Sequence, residues 1–178
     1  MLLQRFGIPF ECHSPGIDES TKGNEPPIQL VKRLAFEKAA AVSLENPQAI
    51  VIGSDQIAVF AGRIVGKPGN HAAAKAQLLS FSGQLVEFFT AVSVQCRATG
   101  FEEQTMDSSR VRFRNLQADE IERYLKAETP YDCAGAFKAE SLGIVLFENI
   151  KSDDPTALIG LPLIHTAAML RRAGLRLP

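Results

Sequence analysis

The chain is short of the residues that staple or metallate small proteins: its 178 residues include three cysteines and three histidines. Cys12, Cys96 and Cys133 are odd in number, far apart and form no C-x-x-C pair, so neither a disulfide framework nor a zinc ribbon is indicated. His13, His71 and His165 form no H-E-x-x-H and no pair at ligand spacing, which argues against a transition-metal enzyme. An excess of one charge is also missing, with 19 Lys+Arg against 20 Asp+Glu and a net charge of −1. That balance removes the electrostatic footprint of a nucleic-acid or membrane-surface binder. No apolar run approaches the roughly 20 residues of a membrane span. The N-terminus, MLLQRFGIPF, lacks the layout of a signal peptide. Internal repeats, low-complexity tracts, G-x-G-x-x-G and P-loops are absent as well. The expectation is a soluble cytoplasmic domain with no membrane or nucleic-acid partner.

What is present suits one domain spanning 1–178. Hydrophobic residues make up 46% of the chain, enough for a single core and too many for disorder. Segment 14–27 (SPGIDESTKGNEPP) reads as an exposed loop. Pro26 and Pro27 can open a helix in which Ile28, Val31, Leu34, Ala35 and Val42 recur at helical spacing, and Asn46-Pro47 closes it. Ala49–Gly53 (AIVIG) predicts a short strand buried on both faces, and 57–60 with 63–65 a hairpin about Ala61-Gly62. Asn70 can cap a helix over 71–79. Residues 84–97 read as a long strand, and 107–114 alternate. Val111 and Phe113 face one way there, Arg110, Arg112 and Arg114 the other. Those arginines suit phosphate or, more simply, the solvated face of an antiparallel sheet. A helix over 118–127, a strand over 143–150 and a helix from Pro162 to Arg172 complete an α/β pattern with a mixed sheet. It lacks the strict alternation of a Rossmann domain.

Four charges break their local pattern. Asp55 follows the AIVIG strand, where α/β sheets place catalytic groups, though a turn aspartate would look the same. Lys38 falls on the apolar stripe of the first helix, where it either snorkels or serves a site. Lys67 sits between Gly66 and Pro68, a weak motif that lets backbone approach a ligand. Glu19 stands beside Asp18 in the exposed loop, where acidic pairs are commonly just solvated. Together, two carboxylates could hold a hard divalent ion, and two lysines could neutralise phosphate oxygens. A carboxylate near the ion could take a proton from water. The residues alone lead to metal-assisted phosphoryl or nucleotidyl hydrolysis.

Asp18-Glu19, R-L-A-F-E-K (33–38), I-G-S-D-Q (52–56), G-K-P (66–68), L-S-F-S-G (79–83), C-A-G-A-F-K (133–138), L-F-E (146–148), D-P-T-A-L-I-G-L-P-L-I (154–164) and M-L-R-R (169–172) occur in this order. In that order and spacing the chain resembles the Maf family of nucleoside triphosphate pyrophosphatases from about Leu2 to Gly174. The resemblance implies an inosine-triphosphatase-like α/β fold with a mixed sheet, a homodimer, and a divalent cofactor, Mg²⁺ or Mn²⁺. It implies hydrolysis of a nucleoside triphosphate to the monophosphate and pyrophosphate. Asp55 would be the proton acceptor or a metal-bound carboxylate, Glu19 would help hold the metal, and Lys38 and Lys67 would balance triphosphate charge. Gln56 after the aspartate, and Glu140 in F-K-A-E-S-L-G where the dTTP and UTP branch has glutamine, resemble the 7-methyl-GTP branch. A carboxylate there can accept from N1–H and the N2 amino group of guanine.

Family members normally open with a strand and a loop resembling S-x-S-P-x-R-R that supplies a serine and an arginine to the triphosphate. Met1–Arg5 aligns instead with the end of the first helix, and Arg5 is not a replacement. Two expectations stand: a shortened start to an ordinary pyrophosphatase, or a fold that lacks its first strand and loop. The competing functional expectation is a catalytically impaired, nucleotide-binding regulatory protein.

Overall fold

The structure, a computed structural model, describes residues 2–178. Among the described residues, four α-helices are interspersed with five strands. The sheet order is β2-β1-β3-β4-β5. Its strands are β1 (Val51–Phe60), β2 (Arg63–Val65), β3 (Leu85–Cys96), β4 (Phe101–Phe113) and β5 (Phe147–Lys151). The helices are α1 (Pro27–Glu45), α2 (His71–Phe81), α3 (Ala118–Glu128) and α4 (Leu163–Arg172). The chain groups into two compact units, one of residues 1–55, 90–107 and 154–178, the other of 56–89 and 108–153.

In the first unit, α1 starts as its prolines allow, with Pro26 as N-cap and Pro27 in the first turn. Leu30, Val31, Leu34, Ala35 and Ala39 are buried along one stripe. The helix ends at Asn46, whose backbone N–H and side-chain amide both donate to the Val42 carbonyl. A second core patch joins Val92 and Val94 of β3 to Met169 and Leu170 of α4, with Phe6 and Ile52 against it. The D-P-T segment caps α4. Asp154, fully buried, accepts from the Ile164 N–H at 2.6 Å, and the Thr156 hydroxyl accepts from that of Leu163 at 2.8 Å. Two orphan donors of the helix end are thereby satisfied.

The second unit is built on phenylalanine. Phe113 packs against Phe81, Phe137 and Phe147 with ring centroids 5.2–5.8 Å apart. The β1–β2 hairpin pairs antiparallel with Ala58 opposite Val65. Ala61 and Gly62 turn it with φ of 48° and 75°, the two left-handed residues of a type I′ turn. Asn70 caps α2 by accepting from the Ala73 N–H. Gln117 and Glu120 form a capping box on α3.

Three sequence expectations need correction. AIVIG and 57–60 are one strand, so Asp55 lies inside β1 rather than at a strand end. The polar Ser54 does not break that strand because its hydroxyl lies 2.8 Å from the carbonyls of Ala91 and Gly160 and can donate to either. Residues 143–146 form a 3₁₀ turn (Leu142–Leu146) before β5, not strand. Glu128 holds it by accepting from the Leu142 N–H and the Ser141 hydroxyl. Finally, β4 begins at Phe101, well before the alternation at 107.

Candidate active site

The site grows from a close approach of α1 to β1. Gly53 lies so near the helix that a β-carbon would collide with the Ala35 carbonyl and the Ala39 amide. Without one, the strand lies against the helix one turn from Lys38. The Lys38 ammonium then reaches Asp55 Oδ1 at 2.7 Å and Glu19 Oε1 at 2.7 Å. Its side chain is only 19% exposed, that of Asp55 10% and that of Glu19 53%. Burial opposes the lysine's charge, but the hydrogen bonds it donates to both carboxylates outweigh it and hold its pKa above the ordinary value. Lys38, Asp55 and Glu19 are thus brought to one point.

Around them the loop before α1 is tied down. Arg33 donates to both oxygens of Glu25 at 2.8 Å, to Glu37 at 2.9 Å and to the Ser20 carbonyl at 2.9 Å. Lys22 donates to the other Glu37 oxygen at 2.8 Å. The Ser20 hydroxyl and N–H both donate to Asp18 at 2.9 Å. Hydrogen bonds from Arg33 lower the pKa of Glu25, those from Lys22 and Arg33 lower that of Glu37, and those from Ser20 lower that of Asp18. Four carboxylates (Glu19, Glu25, Glu37, Asp55) therefore share three cations, Lys22, Arg33 and Lys38, while Asp18 is held by Ser20. The carboxylate oxygens of Asp55 and Glu19 fit a hard divalent ion. That ion would be one that keeps waters and substrate oxygens in its shell. No closed cage of three or more His, Cys, Asp and Glu is found among the described residues.

The remaining predicted residues belong to the second unit. Gln56 is the next residue of β1 after Asp55 and is half-buried. Lys67 is exposed on a segment fixed at both ends: Gln77 Nε2 donates to the Gly66 carbonyl at 3.0 Å, and the Gly69 N–H to the Tyr131 carbonyl at 2.8 Å. Glu140 is exposed, just after the Ala134–Ala136 3₁₀ turn. The sequence pattern does not single out Arg33 beyond its place in R-L-A-F-E-K. The charges at Glu25 and Glu37, the latter one turn along, were the available signal. Arg110, Arg112 and Arg114 serve the sheet surface, facing Glu87, the Gly83 carbonyl, and the Val145 carbonyl with Glu120, respectively.

A family model described as "Maf-like protein" matches residues 1–173. The chain belongs to the Maf-like family. Among curated Maf-like relatives, it is 52% identical to the 7-methyl-GTP pyrophosphatase of Albidiferax ferrireducens over 98% of this chain and 88% of that protein. It is 53% identical to the 7-methyl-GTP pyrophosphatase of Polaromonas sp. strain JS666, over 99% and 80%. Identity to the 7-methyl-GTP pyrophosphatase of Aromatoleum aromaticum is 51%, over 100% and 92%. Among the described residues of this Maf-like chain, no helix is long and apolar enough to cross a membrane.

Proposed function

We propose that this chain is a nucleoside triphosphate pyrophosphatase that hydrolyses 7-methyl-GTP to 7-methyl-GMP and pyrophosphate. The names borne by relatives of about half-identical sequence support the substrate. The convergence of Asp55 and Glu19 on the Lys38 ammonium carries the chemistry. In this reading the two units act as a single Maf-like domain, and the functional protein is a homodimer.

Asp55 accepts a proton from the attacking water as its oxygen bonds to the α-phosphorus. The α–β bridging bond breaks and pyrophosphate leaves with the electron pair. Lys38 keeps Asp55 oriented and, with Lys67, offsets charge on the phosphate chain. Asp55 and Glu19 are the residues that would hold Mg²⁺ or Mn²⁺. When bound, such an ion supplies charge neutralisation to the phosphate oxygens. Glu140 accepts from N1–H and the N2 amino group of the base, and Gln56 assists specificity.

Steady-state pyrophosphate release from 7-methyl-GTP and UTP by wild type and Glu140→Gln tests the substrate assignment. The variant should lose preference for 7-methyl-GTP by ~10-fold or more, the scale of one or two charged hydrogen bonds. An unchanged ratio of kcat/KM values would remove Glu140 from recognition. A wild type that binds 7-methyl-GTP without turning it over would favour the impaired, nucleotide-binding alternative.

A further inference from the structure

Glu19 poses a mechanical problem. It is half-exposed, in a stretch (7–26) with no helix or strand, yet its carboxylate is 2.7 Å from the Lys38 ammonium. A glutamate on a loose loop would lose most of its ion-holding power to conformational entropy. Ser20, next to it, bonds back to Asp18, and Arg33 ties that turn to α1. The guanidinium grips the adjacent Ser20 carbonyl with one N–H and takes Glu25 bidentately with two others. A fourth N–H anchors it to Glu37 on its own helix, one turn further along α1. Four of its five donors are therefore spent on four oxygens of three residues, a fork that a lysine cannot reproduce. Its side chain is 16% exposed, well covered for an arginine.

On these contacts we infer that Arg33 is the positioning residue for Glu19: it fixes the 18–25 loop on α1, so that the carboxylate faces Asp55 across Lys38. The inference rests on the reading of Glu19 as an ion-holding residue and adds what keeps it in place. Arg33 itself touches no reacting atom. Its loss acts only through the loop.

The test uses the full chain, with Mn²⁺ as the calorimetric probe and hydrogen exchange of the loop amides as a readout independent of activity. Arg33→Gln should raise the Mn²⁺ dissociation constant about 10-fold, the scale of losing an outer-shell support. Exchange at residues 19–25 should accelerate at least ~10-fold while the buried stripe of α1 stays protected. Arg33→Lys should recover the charge but not the fork, and so only a minor part of the loss. In a Glu19→Gln background, Arg33→Gln should cost Mn²⁺ affinity nothing more, because the two act as one unit. Unchanged affinity and unchanged loop exchange in Arg33→Gln would overturn the inference, as would losses that multiply in the double variant. A wild type that takes up no Mn²⁺ would overturn both the inference and the ion-holding role of Glu19. A wild type that binds Mn²⁺ but does not hydrolyse 7-methyl-GTP would strike only the proposed activity.

Discussion

Lys38 stands 2.7 Å from Asp55 and 2.7 Å from Glu19, one ammonium holding two carboxylates that the sequence separates by 36 positions. It is the electrostatic centre of the site and also a structural tie between α1, the preceding loop and β1. Lys38→Met should therefore cost both stability and turnover. With Asp55 only 10% exposed, losing its ammonium should destabilise by roughly 1–3 kcal/mol, read as a fall in Tm at neutral pH. The pH dependence has a definite sign. Because the folded-state pKa of Lys38 is raised above its ordinary 10.5, its contribution is complete below about that pH and is lost as pH climbs through the raised value. Wild type and Lys38→Met should thus converge in Tm only in strong alkali; equal Tm at pH 7 would refute the tie.

Gly53 sets the spacing of that pair. A Gly53→Ala β-carbon would meet the backbone of Ala35 and Ala39, neither of which can swing aside as a side-chain tip would. The helix must move away from the strand, at a cost of ~1–3 kcal/mol or more. The displaced helix carries Lys38 with it, so kcat/KM should fall further than the lowered Tm explains when assayed well below the transition. A variant with native stability and activity would show that the contact is not limiting.

Acid should act on a different part of the molecule. Glu122 joins α2 to α3 by accepting from Lys75 at 3.0 Å and from His71 at 3.1 Å, while the other His71 nitrogen meets the Tyr131 hydroxyl at 3.0 Å. Hydrogen bonds from Lys75, then from His71, bring the Glu122 pKa down to about 2 from 4.5. A depressed carboxylate gives stability above its unfolded pKa and loses it as pH falls. The Tm advantage of wild type over Glu122→Gln should therefore persist down to about pH 4.5 and vanish towards pH 2. An advantage that does not change across that window would contradict the assignment.

Most of the helices were legible from the sequence because their signals are local. Pro26-Pro27 and Asn46 bracket α1, Asn70 opens α2 and Pro162 precedes α4. The errors came where a distant partner overrides local chemistry. AIVIG looks like a complete strand until Ala91 and Gly160 supply acceptors for the hydroxyl of the next residue, Ser54, and Gly143 looks extended until the Lys138 backbone packs against it. The site follows the same rule. Lys38 and Asp55 drew attention because each violated its own pattern, and they do meet. Arg33 obeyed its pattern and escaped notice, since its role depends on a loop whose path no periodicity encodes.

The central claim, water attack at the α-phosphorus of 7-methyl-GTP with Asp55 as proton acceptor, is tested most directly by turnover in heavy-oxygen water. Wild type with Mg²⁺ should place the label in 7-methyl-GMP and none in pyrophosphate, and Asp55→Asn should slow turnover by ~10²-fold or more. Label recovered in pyrophosphate, or an Asp55→Asn variant as fast as wild type, would contradict the account.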